Sequence, residues 1–134
     1  MAFGFSPIIP LQKSEEDGYY ALTKTIAANT KQNLKNLLLT KPGERVMLPD
    51  FGVGLQSIIF NNQHDSLQAD ITYRIEKQVA TYLPFIVIDN IEFISDNETD
   101  VRSAMEHKVG IKIAYSVPGF SFADLLTISK IQFT

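Results

Sequence analysis

Few side chains in this sequence are of the types that catalysis or metal binding needs. The chain has 134 residues, no cysteine and only His64 and His107 as histidines, which excludes thiolate zinc sites, disulfides and thiol nucleophiles. The histidines lack metal-ligand spacing, and no Gly-x-Ser-x-Gly motif accompanies them. The pair Gly52 and Gly54 lacks the Lys and Ser or Thr of a phosphate-binding loop. We therefore predict no catalytic, cofactor-binding or metal-binding residue.

Carboxylates offer the remaining route to catalysis, because a pair of them can cleave a glycosidic bond. Glu44 and Asp50 lie close together in the sequence. With fifteen Asp and Glu residues in a chain of this length, however, such a pair arises readily by chance. The structural alternative is that Glu44 binds Arg45, Lys41 or a backbone amide, and that Asp50 forms a turn or caps a helix.

Charge and composition exclude several other classes of function. Twelve Lys and Arg residues against fifteen Asp and Glu residues give a formal net charge of −3, so we predict no nucleic-acid partner. No apolar run approaches the roughly 20 residues of a membrane span, and the first ten residues do not resemble a signal peptide. The length fits one domain over residues 1–134, which we expect to be soluble and held together by packing or by partners.

A first helix is predicted to precede the loop that carries the two acids. It extends from about residue 28 to residue 39, with Asn29 or Thr30 as its N-cap. The sequence Thr-Lys-Pro-Gly at residues 40–43 ends it, because the residue before proline avoids the α region and glycine permits a tight turn. Its predicted apolar face contains Thr30, Leu34, Leu37 and Leu38.

A second helix is predicted to follow the same loop and to end at Leu83-Pro84. Asp65 or Ser66 is a suitable N-cap. The apolar positions recur every four residues, and the opposite face is polar, as expected for a surface helix. The apolar positions are Leu67, Ile71, Ile75, Val79 and Leu83, and the polar ones are Arg74, Glu76, Lys77 and Gln78.

The rest of the chain favours extended structure. Residues 1–18 contain prolines, glycines and side chains too apolar for a solvated tail, and we predict an extended arm that lies on this protein or on a partner. Residues 19–23 are predicted to form a short strand, residues 86–117 a hairpin with a loop at 95–102, and residues 125–133 a third strand. The predicted fold is therefore α+β, with a small antiparallel or mixed sheet and two main helices packed on it.

The loop between the helices is the most organised segment of the sequence. Residues 37–55 read LLLTKPGERVMLPDFGVGL, in which a Pro-Gly turn and a Pro-Asp-Phe-Gly turn frame a charged pair. We expect the planar guanidinium of Arg45 to hold loop carbonyls or a carboxylate, and Phe51 to anchor the loop in the core.

This segment, followed by an apolar helix, resembles the hallmark of the baseplate wedge proteins of contractile-tailed phages. That sheath-initiator or tail lysozyme-like family also occurs in type VI secretion systems and pyocins. The resemblance covers most of the chain, from the extended arm through both helices to the terminal strands. It implies a structural, non-enzymatic component of a tail baseplate, made in the bacterial host cytoplasm, with a lysozyme-like peptidoglycan hydrolase as the alternative.

The resemblance also implies partners and a binding loop. Family members dock this loop on the helical core bundle of the wedge, and their β-structure initiates the sheath by strand addition. The implied partners are therefore wedge proteins, sheath subunits and central hub or tube proteins. The sheet edge that receives the added strand could belong to the hairpin or to the last strand. Arg45 could pair with Glu44 or with Asp50, and Asp50 replaces a glutamate that is common in the family. The matching residues are Glu44, Arg45, Pro49, Asp50, Phe51 and Gly52.

Overall fold

The computed structural model describes residues 3–55, 57, 65–95 and 109–129. The described part contains two α-helices and three β-strands, so the predicted α+β class is confirmed. The chain divides into two compact units, Met1–Asn36 and Leu37–Thr134. The elements are α1 (Ile26–Leu39), α2 (Asp65–Tyr82), β1 (Val87–Ser95), β2 (Val109–Val117), a 3₁₀ turn (Pro118–Phe120) and β3 (Phe122–Ser129).

The first unit contains the N-terminal arm, which folds back along residues 19–23. Isolated antiparallel bridges join Pro7 to Leu22 and Lys13 to Tyr20. The prediction of a strand over residues 19–23 is wrong, because these bridges do not extend into a continuous ladder. Pro10, which has no N–H to donate, lies between the two bridged positions of the arm.

Side chains at the start of α1 hold the arm. The Ser6 hydroxyl donates to Asn29 Oδ1 at 2.7 Å, and Gln32 Nε2 donates to the Pro7 carbonyl at 2.9 Å. The helix begins two residues earlier than predicted, and its cap is Thr25, whose hydroxyl accepts the Ala28 N–H at 3.2 Å. Asn29 thus binds the arm instead of capping the helix.

The second unit contains α2 and the sheet. The predicted apolar face of α2 is confirmed at Ile71, Ile75 and Val79, which are all buried. Leu83 lies just beyond the helix end and is half-buried, and the Leu67 side chain lies outside the description. The residues predicted to be polar and exposed are so at Arg74, Glu76 and Lys77, whereas Gln78 is half-buried.

The sheet is antiparallel throughout, in the order β1-β2-β3. Side chains alternate in β2, and one face of the sheet is buried. A bulge between Ile88 and Asn90 interrupts the register of β1, whereas β2 and β3 pair without a break. The predicted hairpin is confirmed as β1 and β2, while most of its loop lies outside the described residues. The buried hydrophobic side chains described in β2 and β3 are Ile111, Ile113, Tyr115, Val117, Leu126 and Ile128.

The third strand begins three residues earlier than predicted, at Phe122, and residues 130–133 of the predicted strand lie outside the description. Tyr115 and Asp124 are direct partners in the register of β2 and β3. Burial of Tyr115, together with the nearby carboxylate of Asp124, raises the pKa of the phenol to about 12.

Candidate partner-binding loop

The loop that follows α1 folds back onto the C-terminal end of α1. The Val53 N–H donates to the Leu37 carbonyl at 3.1 Å, and the Gly54 N–H donates to the Thr40 carbonyl at 2.9 Å. The last carbonyls of a helix have no partner within the helix, so these bonds both cap α1 and fix the end of the loop. Val53 and Leu55 are buried. We call residues 40–54 the docking loop.

Gly52 makes the close return possible. Its φ is +111°, and a Cβ at this position would lie 2.1 Å from the Thr40 carbonyl oxygen. Any other residue would therefore be strained in its backbone and would collide with the backbone of Thr40. The sequence motif Phe-Gly thus has a direct steric reason.

Gln78 of α2 clamps the base of the docking loop with both ends of its amide. Its Oε1 accepts the Gly52 N–H at 3.0 Å, and its Nε2 donates to the Asp50 carbonyl at 2.9 Å. Sequence reasoning assigned Gln78 to the solvated face of the helix and missed this role. Gln78 lies three residues after the core residue Ile75 and four residues before Tyr82. This spacing, which places the three residues near one another on the helix surface, was the available signal.

Glu44 closes the Pro-Gly turn. Its N–H donates to the Lys41 carbonyl at 3.1 Å, and its Oε2 accepts the Lys41 N–H at 2.9 Å. The Gly43 N–H donates across the loop to the Pro49 carbonyl at 2.6 Å. The carboxylate of Glu44 therefore binds a backbone amide, which is one of its predicted partners. Pro49 is bound through its carbonyl.

Arg45 stacks on the anchor of the docking loop. Its guanidinium carbon lies 4.0 Å from the centroid of the Phe51 ring, within the range of a cation–π contact. Phe51 is buried and packs edge-on against Tyr82 of α2, with ring centroids 4.9 Å apart. Among the described residues, no ion pair joins Arg45 to Glu44 or to Asp50.

The tip of the docking loop presents apolar side chains to solvent. Val46, Met47 and Leu48 are 94%, 89% and 45% exposed, and all residues from 41 to 50 are exposed. We call these three residues the apolar tip. The sequence contains the signal, a Val-Met-Leu run inside a loop dense in turn residues, but the run was not assigned a role.

The six residues predicted as the site thus lie in one loop, and the structure adds Gln78 and Tyr82 of α2 as side chains that hold it. Within the described ranges, no group of three or more His, Asp or Glu side chains is placed to hold a metal ion. His64 and His107 lie outside these ranges. No helix of the described part is both long and apolar enough to cross a membrane.

Comparison with known proteins shows which molecules share this arrangement. A family model described as baseplate wedge protein gp25 matches residues 24–119. A chain in the cryo-EM structure of the anti-feeding prophage baseplate is 28% identical, with a TM-score of 0.64 over 81% of each chain. A Geobacter sulfurreducens protein, provisionally named a tail lysozyme, is 22% identical with a TM-score of 0.63 and shares the fold, over 81% of this chain and 93% of that one. No curated protein sequence matches significantly.

The family match covers both helices, the docking loop and the whole of the β1–β2 hairpin. It confirms the resemblance to contractile-tail baseplate proteins that the loop motif indicated. We conclude that the chain belongs to the baseplate wedge protein gp25 family and is a structural component of a tail baseplate.

Proposed function

We propose that this baseplate component docks on the helical core bundle of the neighbouring wedge proteins through its docking loop. The apolar tip is the observation that carries the proposal, since three consecutive apolar side chains there face solvent. Such a run on the surface of a folded protein is typical of a binding site. Grooves between the helices of a bundle accept apolar side chains of this size.

The way the loop is held supports the same role. The Gln78 clamp, the bonds to the end of α1 and the packing of Phe51 on Tyr82 fix the base of the loop on regular elements. A loop that is already ordered loses less conformational entropy when it binds. More of the free energy gained from the apolar contact therefore contributes to affinity. The stacked guanidinium of Arg45 retains its N–H groups, and these can donate to a carboxylate or carbonyl of the partner.

Removing the apolar tip tests the docking role. In a chain with Val46→Ser, Met47→Ser and Leu48→Ser, we expect assembly with the wedge proteins to fail while the free energy of unfolding stays within about 0.5 kcal/mol. Tyr73→Ser is the control, because Tyr73 is a large apolar residue that is 62% exposed on α2 and does not belong to the loop. Electron microscopy of reconstituted baseplates gives the readout. Normal baseplates from the tip variant would rule out docking through the loop.

The second part of the proposal is that the sheet initiates the sheath by receiving a strand from a sheath subunit. β1 and β3 are the outer strands among those described. Bulges are a common device against pairing at a sheet edge, and β1 carries one between Ile88 and Asn90, whereas β3 pairs with β2 in unbroken register. β3 is therefore the edge that we expect to receive the strand.

Amide hydrogen exchange distinguishes the two edges. On addition of sheath subunits to the assembled baseplate, we expect backbone amides of β3 to exchange at least tenfold more slowly, with those of β1 unchanged. The outer amides of an edge strand gain hydrogen-bond partners when a new strand pairs with them. Protection of β1 alone, or of neither strand, would contradict this assignment.

The proposed role is non-enzymatic. Glu44 is occupied by the Lys41 amide, and Glu44 and Asp50 both lie on an exposed loop. Purified protein incubated with peptidoglycan should give no more soluble products than a buffer control, with an established hydrolase as the positive control. Turnover that disappears in Glu44→Gln would establish the hydrolase alternative instead.

A further inference from the structure

A second surface on the Leu37–Thr134 unit has the properties of a docking site and is separate from the docking loop. An open groove of about 410 Å³ lies between the C-terminal half of α2 and the segment that leads into β1. Val79 and Ile86 form its buried apolar floor. Its lining consists of Glu76, Val79, Ala80, Pro84, Ile86 and Ile88, and we call it the α2–β1 groove.

Glu76 gives this apolar groove a specific charge. Its side chain is exposed, and none of the described residues forms an ion pair or hydrogen bond with its carboxylate. The neighbouring cations of α2 are engaged elsewhere: Arg74 pairs with Asp70 at 3.0 Å, and Lys77 lies 5.9 Å from the centroid of the Tyr73 ring. The groove therefore presents a single uncompensated negative charge beside an apolar floor.

The spacing of the lining residues favours a helical occupant. Glu76, Val79 and Ala80 stand at i, i+3 and i+4 on α2 and so form one ridge along the helix. Helices pack by placing such ridges into the grooves of a neighbour, and Ala80 leaves room for close approach. A volume of about 410 Å³ admits a few large apolar side chains rather than a whole folded element.

We propose that the α2–β1 groove binds an amphipathic helix of a neighbouring baseplate protein, with apolar side chains on the groove floor and a Lys or Arg paired with Glu76. The complementary charge sets the orientation of the helix, and the apolar contact supplies most of the affinity. This surface is independent of the docking loop, so either proposal can fail while the other holds.

Single-cysteine labelling tests the occupancy of the groove, because the chain has no cysteine of its own. In Ala80→Cys, we expect a maleimide to react at least tenfold more slowly in assembled baseplates than in the isolated protein. Ala69→Cys is the control, since Ala69 is also exposed on α2 but lies about 16 Å along the helix from Ala80. Equal rates at Ala80 in both states, or equal slowing at both positions, would overturn the proposal.

Two further variants test the chemistry of the occupant. Glu76→Lys should restore at least half of the lost maleimide reactivity of Ala80→Cys in the baseplate, whereas Gln68→Lys should restore none. A photo-crosslinker attached at Ala80→Cys should join the chain to a helical segment of another baseplate protein that contains Lys or Arg. Full protection in the Glu76→Lys background, or crosslinks only to a strand or to a segment without a basic residue, would overturn the proposed occupant.

Discussion

Gly52 is the residue at which backbone geometry constrains the docking loop most strongly. Its positive φ and its contact with the Thr40 carbonyl leave no space for a side chain. Gly43 has a positive φ as well, but a Cβ there would meet no atom within 4 Å. Comparison of Gly43 with Gly52 therefore separates the cost of backbone conformation from the cost of a steric collision.

Replacing each glycine by alanine should give different losses of stability. We expect Gly52→Ala to lower the free energy of unfolding by about 2–4 kcal/mol, because backbone strain and collision add. Gly43→Ala should cost about 1 kcal/mol, from the left-handed conformation alone. Urea unfolding followed by circular dichroism measures both values. Equal losses in the two variants would show that the close approach of Gly52 to Thr40 does not exist in solution.

Tyr115 makes stability depend on pH in the alkaline range. The pKa of its phenol rises from the ordinary value of 10.0 to about 12 in the folded chain, first through burial and then through Asp124. Below pH 10 the ring is neutral in both states. Between pH 10 and about 12 the unfolded chain releases the proton and the folded chain keeps it, so stability falls as the pH rises.

Tyr115→Phe should remove this contribution. We expect the variant to lose about 1–3 kcal/mol less than the wild-type chain when the pH rises from 9 to 12. Denaturant unfolding of both proteins across this range provides the comparison, and the other titrating groups cancel in the difference. Parallel pH profiles for the two chains would mean that the phenol is not shielded in the fold.

At the scale of elements, hydrophobic periodicity predicted most of the fold. The four-residue spacing of α2 and the two-residue alternation of β2 depend on which face is buried, and both are confirmed by the buried side chains. The strand predicted at residues 19–23 does not form, because β propensity alone does not provide a partner strand that pairs without interruption. The sequence predicts the start of β3 three residues too late, because the residue types after Pro118 do not indicate where the turn ends.

The docking loop shows a similar limit of sequence reasoning. Its turn residues and its anchor Phe51 could be recognised from residue type alone. The Gln78 clamp could not, because it joins positions 26 and 28 residues apart and depends on how α2 lies beside the loop. Arg45 was expected to hold loop carbonyls or a carboxylate, and the contact that the residue types did not indicate is the one between its guanidinium and the face of Phe51.

The Gln78 clamp predicts a local change in dynamics. In Gln78→Ala, the Gly52 amide loses its acceptor, and we expect its hydrogen exchange to accelerate at least tenfold with a loss of about 1–3 kcal/mol in stability. Gln68→Ala, on the exposed part of the same helix, should change neither quantity. Unaltered exchange at Gly52 in Gln78→Ala would indicate that the clamp contributes nothing to loop order.

At the scale of the whole molecule, the chain has few groups suited to reaction and several surfaces suited to contact. Its Leu37–Thr134 unit carries an ordered loop with an apolar tip, an unbroken outer strand and a groove with one uncompensated acid. These features fit a component that acts through contacts with its neighbours. The absence of cysteine, first a limit on chemistry, also makes the chain convenient for site-specific labelling.

The central claim is that the apolar tip becomes buried against the wedge helical bundle. An environment-sensitive fluorophore on Met47→Cys tests it directly in reconstituted baseplates, with the same label on Gln68→Cys as the control. We predict a blue shift and stronger emission from position 47 on assembly, because the label moves from water into an apolar contact. Emission from position 47 that stays the same as in the isolated protein, in baseplates that have assembled, would contradict the claim.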